Sequence, residues 1–197
     1  IATDDIQPTV DWMNSTFGFK FTDEEMLGTT GKKRHEDGTF EKNSSGDIDL
    51  NTDARELPKE EIIAKLTAWC QKQGIPDLEI MNKGRTFTQG WVANAGDQIH
   101  FRTPIKGNPD NGFVQTDFMM TVNPALQKGA KRGGTEKFTG ADRAVMLSSL
   151  ARGRGLKFSP KFGVVDPNNG DKVVADEWDK IAEILLGKGA TEKDTHT

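Results

Sequence analysis

The sequence of 197 residues predicts an α+β fold, in which a mixed sheet with flanking helices is followed by a smaller lobe. Apolar or alternating segments between Asn, Gly, Asp and Pro predict the strands, and apolar residues three to four positions apart predict the helices. The composition changes near residue 138, after a basic stretch that contains glycine. We therefore expect an N-terminal lobe over residues 1–137, a C-terminal lobe over 138–187 and a disordered tail over 188–197.

The N-terminal lobe should begin with a helix over residues 4–17, where one apolar stripe recurs at helical spacing. Thr, Asp and two Glu at residues 22–25 predict a capped turn of helix. The polar run over 29–46 predicts a loop, and polar–apolar alternation over 47–50 predicts a strand. The most regular apolar stripe predicts a second helix over 58–74, with a glycine at its end.

The rest of this lobe should be a mostly antiparallel sheet. Turn residues separate apolar segments, and these segments are typical of strands. A basic, glycine-containing connector should then lead to the C-terminal lobe. The predicted strands cover residues 78–81, 87–92, 98–105 and 113–122, and the connector covers 123–137.

The C-terminal lobe should consist of a helix, a hairpin and a final helix. Helical periodicity predicts the first helix over residues 142–152 and the last over 176–186. Between them, strands over 158–165 and 172–174 flank the turn signal Asp-Pro-Asn-Asn-Gly at 166–170.

Charge and cysteine content exclude several classes of protein. A formal charge of −4 and a pI near 5.5 argue against a protein that coats nucleic acid through bulk charge, although basic patches occur at residues 32–34 and 128–154. A single cysteine, Cys70, excludes an intrachain disulfide and a zinc site built from thiolates. No segment has the length of a membrane span or the pattern of a signal peptide, so we expect a cytoplasmic protein without a membrane partner.

Three carboxylates are the candidate catalytic and metal-binding residues. Asp47 and Asp49 are two positions apart on a predicted strand, so both side chains should leave the same face while Ile48 and Leu50 enter the core. Asp117 lies on another strand among apolar and neutral residues, where an unpaired acid is costly unless it binds a cation. An isolated Asp-x-Asp is common by chance and is more often a solvated strand edge.

Residues 27–33 followed by 44–50 resemble the signature of the nucleotidyltransferase superfamily, in which a helix ends in a glycine and a hydroxyl residue before a strand with Asp-x-Asp. The resemblance implies that Asp47, Asp49 and a third acid from a later strand, Asp117, hold two Mg²⁺ or Mn²⁺ ions. It also implies a nucleotidyltransferase-type mixed sheet. Paired ions of this kind stabilise the attacking and leaving oxygens of phosphoryl transfer.

The same signature implies a triphosphate site at Gly28, Thr29, Lys32 and Lys33. Glycine lets backbone amides approach phosphate, the hydroxyl can donate to it, and the lysines add positive charge. The stretch before the first acid is longer than in the family, as if a loop were inserted. Residues 38–39 also read Gly-Thr but lie too close to the first acid, so we favour the earlier pair.

A second segment resembles the junction of palm and thumb in family X DNA polymerases, where an aromatic-Thr-Gly motif lies beside the sugar of the incoming nucleotide. Phe138, Thr139, Gly140 and Asp142 match this motif and the start of the helix that borders the base. Lys137 replaces the first of the family's two aromatic residues, so the sugar preference is left open.

Residues 156–187 are similar to the thumb lobe of that family, and the resemblance is weakest over 75–110. The stretch before Leu27 is too short for a lyase lobe or a helix-hairpin-helix DNA clamp, so the chain is most similar to small polymerase-like nucleotidyltransferases of bacteriophages. This similarity implies the cytoplasm of an infected bacterial cell.

The implied activity is transfer of a nucleoside monophosphate from a nucleoside triphosphate to an acceptor hydroxyl, with release of pyrophosphate. A DNA or RNA 3′ end is the acceptor that the thumb-like lobe favours. The acidic charge and the missing DNA clamp also permit a small-molecule or protein acceptor. A catalytically idle structural or binding protein of a phage is a third possibility.

The remaining candidates have simpler interpretations. The sequence predicts His35 as a solvated loop residue, His100 as a half-buried strand residue and Cys70 as packing. Trp91 is expected either in the core or stacked on a base. The run Lys128, Lys131 and Arg132 is either a solvated loop or a phosphate contact.

Overall fold

The computed structural model describes residues 1–28, 30–31, 43–75, 80–82, 85–88, 90–131 and 140–196, with the backbone alone at 80–82 and 85–88. Two compact units make up the chain, Ile1–Val122 and Asn123–Thr197. The fold is α+β, as the sequence predicts, because helices accompany a mixed sheet in the first unit and a three-stranded sheet in the second. No helix within these ranges has both the length and the apolar character to cross a membrane.

The helices of the first unit form where the apolar stripes predict them. Helix α1 covers Thr3–Phe17 and helix α2 covers Lys59–Lys72. Between them, a turn of 3₁₀ helix over Asp23–Glu25 begins with a capping box. Thr22 Oγ1 accepts from the amide of Glu24 at 3.2 Å, and the Glu25 carboxylate accepts from the amide of Thr22 at 2.8 Å.

In the part of the first unit that the structure describes, six strands form one mixed sheet. Their spatial order is β1-β6-β5-β4-β3-β2, and every neighbouring pair is antiparallel except β1 and β6, which run parallel. The strands are β1 Asp47–Asp53, β2 Ile80–Asn82, β3 Arg85–Thr88, β4 Val92–Ala95, β5 Gln98–Pro104 and β6 Phe113–Thr121.

One predicted strand is two strands. Residues 87–92, predicted as a single strand, contain the end of β3 and the start of β4, which pair with each other in a hairpin. The chain turns near Gly90, whose φ of +67° lies in the region that glycine adopts without a steric cost. Gly90 is a turn signal in the sequence, but the apolar residues on both sides of it favoured one continuous strand.

The core of the first unit covers one face of this sheet. Side chains from β1, β5 and β6 pack there against α1 and α2, and the group is fully buried. The opposite face of the same strands carries the acidic residues, since successive side chains of a strand alternate between faces. The buried set includes Val10, Met13, Ile48, Leu50, Ile62, Leu66, Ile99, Phe101 and Phe118.

The described residues of the second unit form three helices and a small antiparallel sheet, with β8 as its central strand. The structure divides the predicted strand over 158–165 into β7 and β8. Gly163, at φ +79°, makes the close approach between β8 and the backbone of Ala175, which leaves no room for a side chain. The elements are α3 Pro124–Lys131, α4 Gly140–Gly153, β7 Lys157–Ser159, β8 Gly163–Asp166, β9 Lys172–Ala175, α5 Trp178–Leu186 and a 3₁₀ turn over Glu192–His196.

The boundary between the units lies before α3, earlier than the predicted boundary at residue 137. Helix α3 occupies the first part of the predicted connector and packs within the second unit, where Leu126 is 1% exposed. Trp178 Nε1 donates to the carbonyl of Ala125 at 3.2 Å, and Asn123 Nδ2 donates to the carbonyl of Asp176 at 3.2 Å. This stretch was predicted as a connector because it is basic, although it has a narrow apolar stripe that includes Leu126 and Ala130.

Residues 188–196 of the C-terminal tail are folded, contrary to the prediction of disorder over 188–197. Thr195 is completely buried, and its Oγ1 accepts from Nε of Arg143 at 3.1 Å. Arg143 is itself 1% exposed, and it also donates to the carbonyl of Gly129. A buried guanidinium requires acceptors, and the polar tail supplies two of them.

Candidate metal centre

The three predicted acids converge on one point of the first unit. The parallel register of β1 and β6 places Asp49 opposite Asp117 and Asp47 opposite Gln115. One ligand oxygen from each of Asp47, Asp49 and Asp117 lies within 4.8 Å of the other two. The expected convergence is therefore present, and it arises because the two strands are neighbours although they are distant in the sequence.

Two rows of side chains cross the acidic face of the sheet. The first row runs from Asp47 on β1 through Gln115 on β6 to Arg102 on β5. The second runs from Asp49 through Asp117 to His100 on the same three strands. Residues directly opposite each other on neighbouring strands share a face, so each row is a line of adjacent side chains.

Two side chains hold the carboxylate of Asp117 in place. Nδ1 of His100 lies 2.5 Å from Oδ1 of Asp117, and Nε2 of Gln115 donates to the same oxygen at 2.8 Å. An ionised carboxylate can only accept, so Nδ1 of His100 carries the proton in this pair. Both bonds end on Oδ1, so they leave Oδ2 as the oxygen of Asp117 that a cation can take.

His100 is therefore part of the acidic centre, although the sequence predicted only a half-buried strand residue. It is 5% exposed, and its Nε2 has no hydrogen-bond partner among the described residues. A buried polar atom without a partner is costly, and the bond that the ring does make is the one from Nδ1 to Asp117. The sequence places His100 on a predicted strand that precedes the strand with Asp117. It does not say which residues of the two strands lie opposite each other, and this pairing brings His100 to Asp117.

Gly28 brings the backbone against the carboxylates. Its φ is +55°, and a Cβ at this position would lie 3.1 Å from Oδ2 of Asp49. The turn is fixed by the amide of Leu27, which donates to the carbonyl of Asp49 at 3.0 Å, and by the amide of Thr30, which donates to the carbonyl of Leu27 at 3.0 Å. Glycine is thus required here both by the backbone conformation and by the space beside Asp49.

Thr30 attaches the Gly28 turn to the acidic strand. Its Oγ1 accepts from the amide of Asp49 at 2.9 Å and lies 3.3 Å from the carbonyl of Asp47, to which it donates. The side chain is 5% exposed, so these bonds are largely shielded from water. Thr30 belongs to the sequence motif at residues 27–33, and its hydroxyl bonds to the backbone of both acids.

The donor set fits a hard divalent cation. Three carboxylate oxygens close together suit Mg²⁺ or Mn²⁺, which prefer oxygen ligands, and the cluster contains no thiolate. Gly28 places no side chain against Oδ2 of Asp49, and the carboxylate of Asp117 is already oriented by His100 and Gln115.

The residues predicted to bind the nucleotide are described only in part. Gly140 is the first residue of α4, and Asp142 lies in the first turn of that helix, both in the second unit. Gly28 lies against the acids as described above. The other five predicted nucleotide-binding residues lie outside the described residues: Thr29, Lys32, Lys33, Phe138 and Thr139.

The remaining candidates are placed as follows. Cys70 is fully buried, and burial raises the pKa of its thiol to about 11, so it is packing, as predicted. Lys128 and Lys131 lie on helix α3 and not in a loop. Trp91 is half-buried. His35 and Arg132 lie outside the described residues.

No family model, no curated protein and no solved structure matches this chain. The site is therefore characterised by its own geometry, which is the convergence of the three acids and the position of Gly28 beside Asp49.

Proposed function

We propose that this chain is a metal-dependent nucleotidyltransferase, which transfers a nucleoside monophosphate from a nucleoside triphosphate to an acceptor hydroxyl and releases pyrophosphate. The observation that carries the proposal is the convergence of Asp47, Asp49 and Asp117 within 4.8 Å beside the Gly28 turn. A structural cation site would need the acids alone. The glycine at residue 28 adds a place without a side chain beside Asp49, where a phosphate group can approach the acids.

Asp47, Asp49 and Asp117 would hold two Mg²⁺ or Mn²⁺ ions. When bound, such ions neutralise the charge on the triphosphate and lower the pKa of an acceptor hydroxyl. The protein contributes rigid positioning of the ligands. Asp117 is fixed by hydrogen bonds from His100 and Gln115, and the strand that carries Asp49 is fixed by Thr30.

In the proposed reaction, the acceptor oxygen forms a bond to the α-phosphorus of the nucleotide. The bond from that phosphorus to the oxygen that bridges to the β-phosphate breaks, and pyrophosphate leaves with the electron pair. The hydroxyl proton passes to water. Asp117 belongs to the acceptor side, since Gly28 lies beside Asp49 and marks the triphosphate side. Thr29, Lys32 and Lys33 follow that turn in the chain and would contact the phosphates.

Nucleotide transfer can be tested directly with the purified chain. The protein is incubated with Mg²⁺ or Mn²⁺, each labelled triphosphate, and either a primed oligonucleotide or a mixture of metabolite and protein acceptors. We expect pyrophosphate release and a labelled acceptor. Release of pyrophosphate in none of these mixtures would overturn the proposal.

Asp49→Asn and Asp53→Asn make a matched pair for this assay. Both remove one carboxylate from β1, but Asp53 pairs with Arg55 at 2.7 Å and is not one of the three converging acids. We expect Asp49→Asn to reduce transfer by a factor on the order of a thousand, since it removes a ligand of both ions. Asp53→Asn should keep most of the activity. Equal activity of the two variants would contradict the assignment of the site.

A further inference from the structure

An arginine stacked on aromatic rings lies on the same face of the sheet as the three acids. The guanidinium of Arg102 lies 4.2 Å from the centre of the Phe113 ring and 5.6 Å from that of Trp91. The two rings meet edge to face with centres 5.0 Å apart. We call Arg102, Phe113 and Trp91 the aromatic–arginine patch.

The strand register fixes how far this patch lies from the acids. Arg102 is directly opposite Gln115, and Gln115 is directly opposite Asp47. Neighbouring strands are about 4.8 Å apart, so Arg102 lies roughly 10 Å from Asp47 along the sheet. Gln115, between them, also donates to Asp117. The patch is therefore adjacent to the acceptor side of the centre.

The patch presents both charge and ring surface to solvent. Arg102 is exposed, and Trp91 and Phe113 are half-buried. In the described part of the chain Arg102 has ring contacts and no ion pair with an acid, so its N–H groups are available to another anion. Trp91 also contacts Trp69 of helix α2, with ring centres 5.8 Å apart, so this ring extends from the patch towards the core on the other face of the sheet.

These features match what a single nucleic acid strand needs. An aromatic ring gives a base a surface on which to stack, and a planar guanidinium can bind phosphate with two N–H groups. The chain carries a formal charge of −4, so bulk charge does not attract a polyanion. A nucleic acid strand that binds close to three carboxylates therefore needs a cation nearby. Arg102 supplies one, in the row that runs from Asp47 through Gln115.

We propose that the aromatic–arginine patch is the subsite for a single-stranded nucleic acid acceptor, which holds the nucleotides next to the reacting 3′ end. This inference rests on the proposed transferase function and names its acceptor class. A free metabolite whose hydroxyl lies at the acids would have to extend roughly 10 Å to reach Arg102, whereas the next nucleotides of a strand reach it. The patch thus favours a strand over a small-molecule acceptor.

The test measures binding of a fluorescein-labelled single-stranded oligonucleotide by polarisation, without triphosphate, over a series of salt concentrations. Arg102→Gln should weaken binding roughly tenfold and reduce the slope of log affinity against log salt by about one. Arg102→Lys should retain the slope and lose part of the affinity, since the charge remains and the planar stacking is lost. Phe113→Leu should weaken binding and leave the slope unchanged.

Lys72→Gln is the matched control. It removes one positive charge from an exposed position at the end of α2, the helix that packs on the other face of the sheet. Its oligonucleotide affinity should equal that of the original chain. The thermal unfolding midpoint of each variant shows that it is folded before its affinity is compared.

Two results would overturn the subsite: an original chain that does not bind the oligonucleotide, or equal affinity of Arg102→Gln and Lys72→Gln. Asp49→Asn separates this proposal from the transferase proposal, because it should abolish transfer without weakening oligonucleotide binding. Binding that depends on Arg102 in a chain without transferase activity would support the subsite and overturn the activity. If Arg102→Gln transfers nucleotide to a small molecule at an undiminished rate and the chain transfers none to oligonucleotides, the transferase activity is supported and the subsite is overturned.

Discussion

His100 donates a hydrogen bond from Nδ1 to Oδ1 of Asp117 over 2.5 Å, between directly opposed residues of β5 and β6. The contact determines which way the third acid points. His100 is 5% exposed and Asp117 8%, so little water competes for either group. The geometry is that of an outer residue that orients a metal ligand, a type of contact whose loss weakens metal binding without removing a ligand.

Substitution of His100 should therefore change metal affinity. His100→Leu removes the donor and leaves Asp117 with Gln115 alone, and we expect Mn²⁺ affinity to fall roughly tenfold or more. His100→Asn keeps an N–H near the position of Nδ1, and its affinity should stay close to the original. Mn²⁺ titration followed by electron paramagnetic resonance measures both. Equal loss in the two variants would show that the ring acts through packing and not through its hydrogen bond.

Gly28→Ala should damage the site more than it damages the fold. Alanine at φ +55° costs roughly 1–2 kcal/mol of stability, and its Cβ would press on Oδ2 of Asp49 from 3.1 Å. We expect this stability loss together with reduced Mn²⁺ affinity and transfer rate. Urea unfolding measures the loss of stability, and Mn²⁺ titration of the same preparation measures the loss of metal affinity.

Gly74→Ala is the control for that substitution. Gly74 has a similar φ of +71°, but no atom of the described residues lies within 4 Å of the added Cβ. It should lose about as much stability as Gly28→Ala while Mn²⁺ affinity stays unchanged. If both variants bind Mn²⁺ as the original chain does, the space beside Asp49 does not matter for the metal.

Thr30→Val should destabilise the first unit because it removes both hydrogen bonds of the Thr30 hydroxyl to β1 and leaves the bond from the amide of Leu27 to the carbonyl of Asp49. The amide of Asp49 then loses its acceptor, and we expect a loss of about 1–3 kcal/mol in the free energy of unfolding. Thr67→Val is the same change on α2, at a buried hydroxyl that has no partner among the described residues, and it should be neutral or stabilising. Urea denaturation compares them, and equal losses would contradict the role given to Thr30.

Cys70 should be unreactive until the first unit unfolds. Burial raises the pKa of the thiol from 9.0 to about 11, so the folded chain holds little thiolate at pH 8. A folded pKa above the unfolded one adds stability that is complete below pH 9 and is lost as the pH rises towards 11. Labelling with a thiol reagent at pH 8 should follow the urea unfolding curve. Stoichiometric labelling without urea would disprove the burial.

The three acids of the site could be predicted from the sequence, but the residues that orient them, His100 and Thr30, could not. Alternation over β1 predicts that Asp47 and Asp49 share a face, because strand periodicity is local. The His100–Asp117 bond joins residues 17 positions apart through a strand register that neither segment encodes alone. The same holds for Thr30, whose hydroxyl bonds to a strand that lies 17 to 19 positions further along.

The errors of prediction in the second unit have a common physical cause. The basic connector and the polar tail lack the apolar content that predicts structure, yet each supplies acceptors to Arg143. Gly129 provides a carbonyl from α3, and Thr195 provides its carbonyl and its hydroxyl from the tail. A buried cation thus orders polar segments through hydrogen bonds, which hydrophobic periodicity does not detect.

Removal of the tail should therefore destabilise the second unit through Arg143. Burial lowers the pKa of this guanidinium, and deletion of residues 188–197 takes away its acceptors at Thr195. We expect a loss of roughly 3 kcal/mol or more in the free energy of unfolding, because the guanidinium keeps the carbonyl of Gly129 but loses its hydrogen bonds to the carbonyl and hydroxyl of Thr195, and a hydrogen bond to a charged group contributes about 1.5–3 kcal/mol. Arg143→Met replaces the guanidinium with an apolar side chain of similar length, so the same deletion in that background should cost less. Urea unfolding of the four chains gives the coupling between the two changes, and strict additivity would show that the tail stabilises the unit by contacts other than those to Arg143.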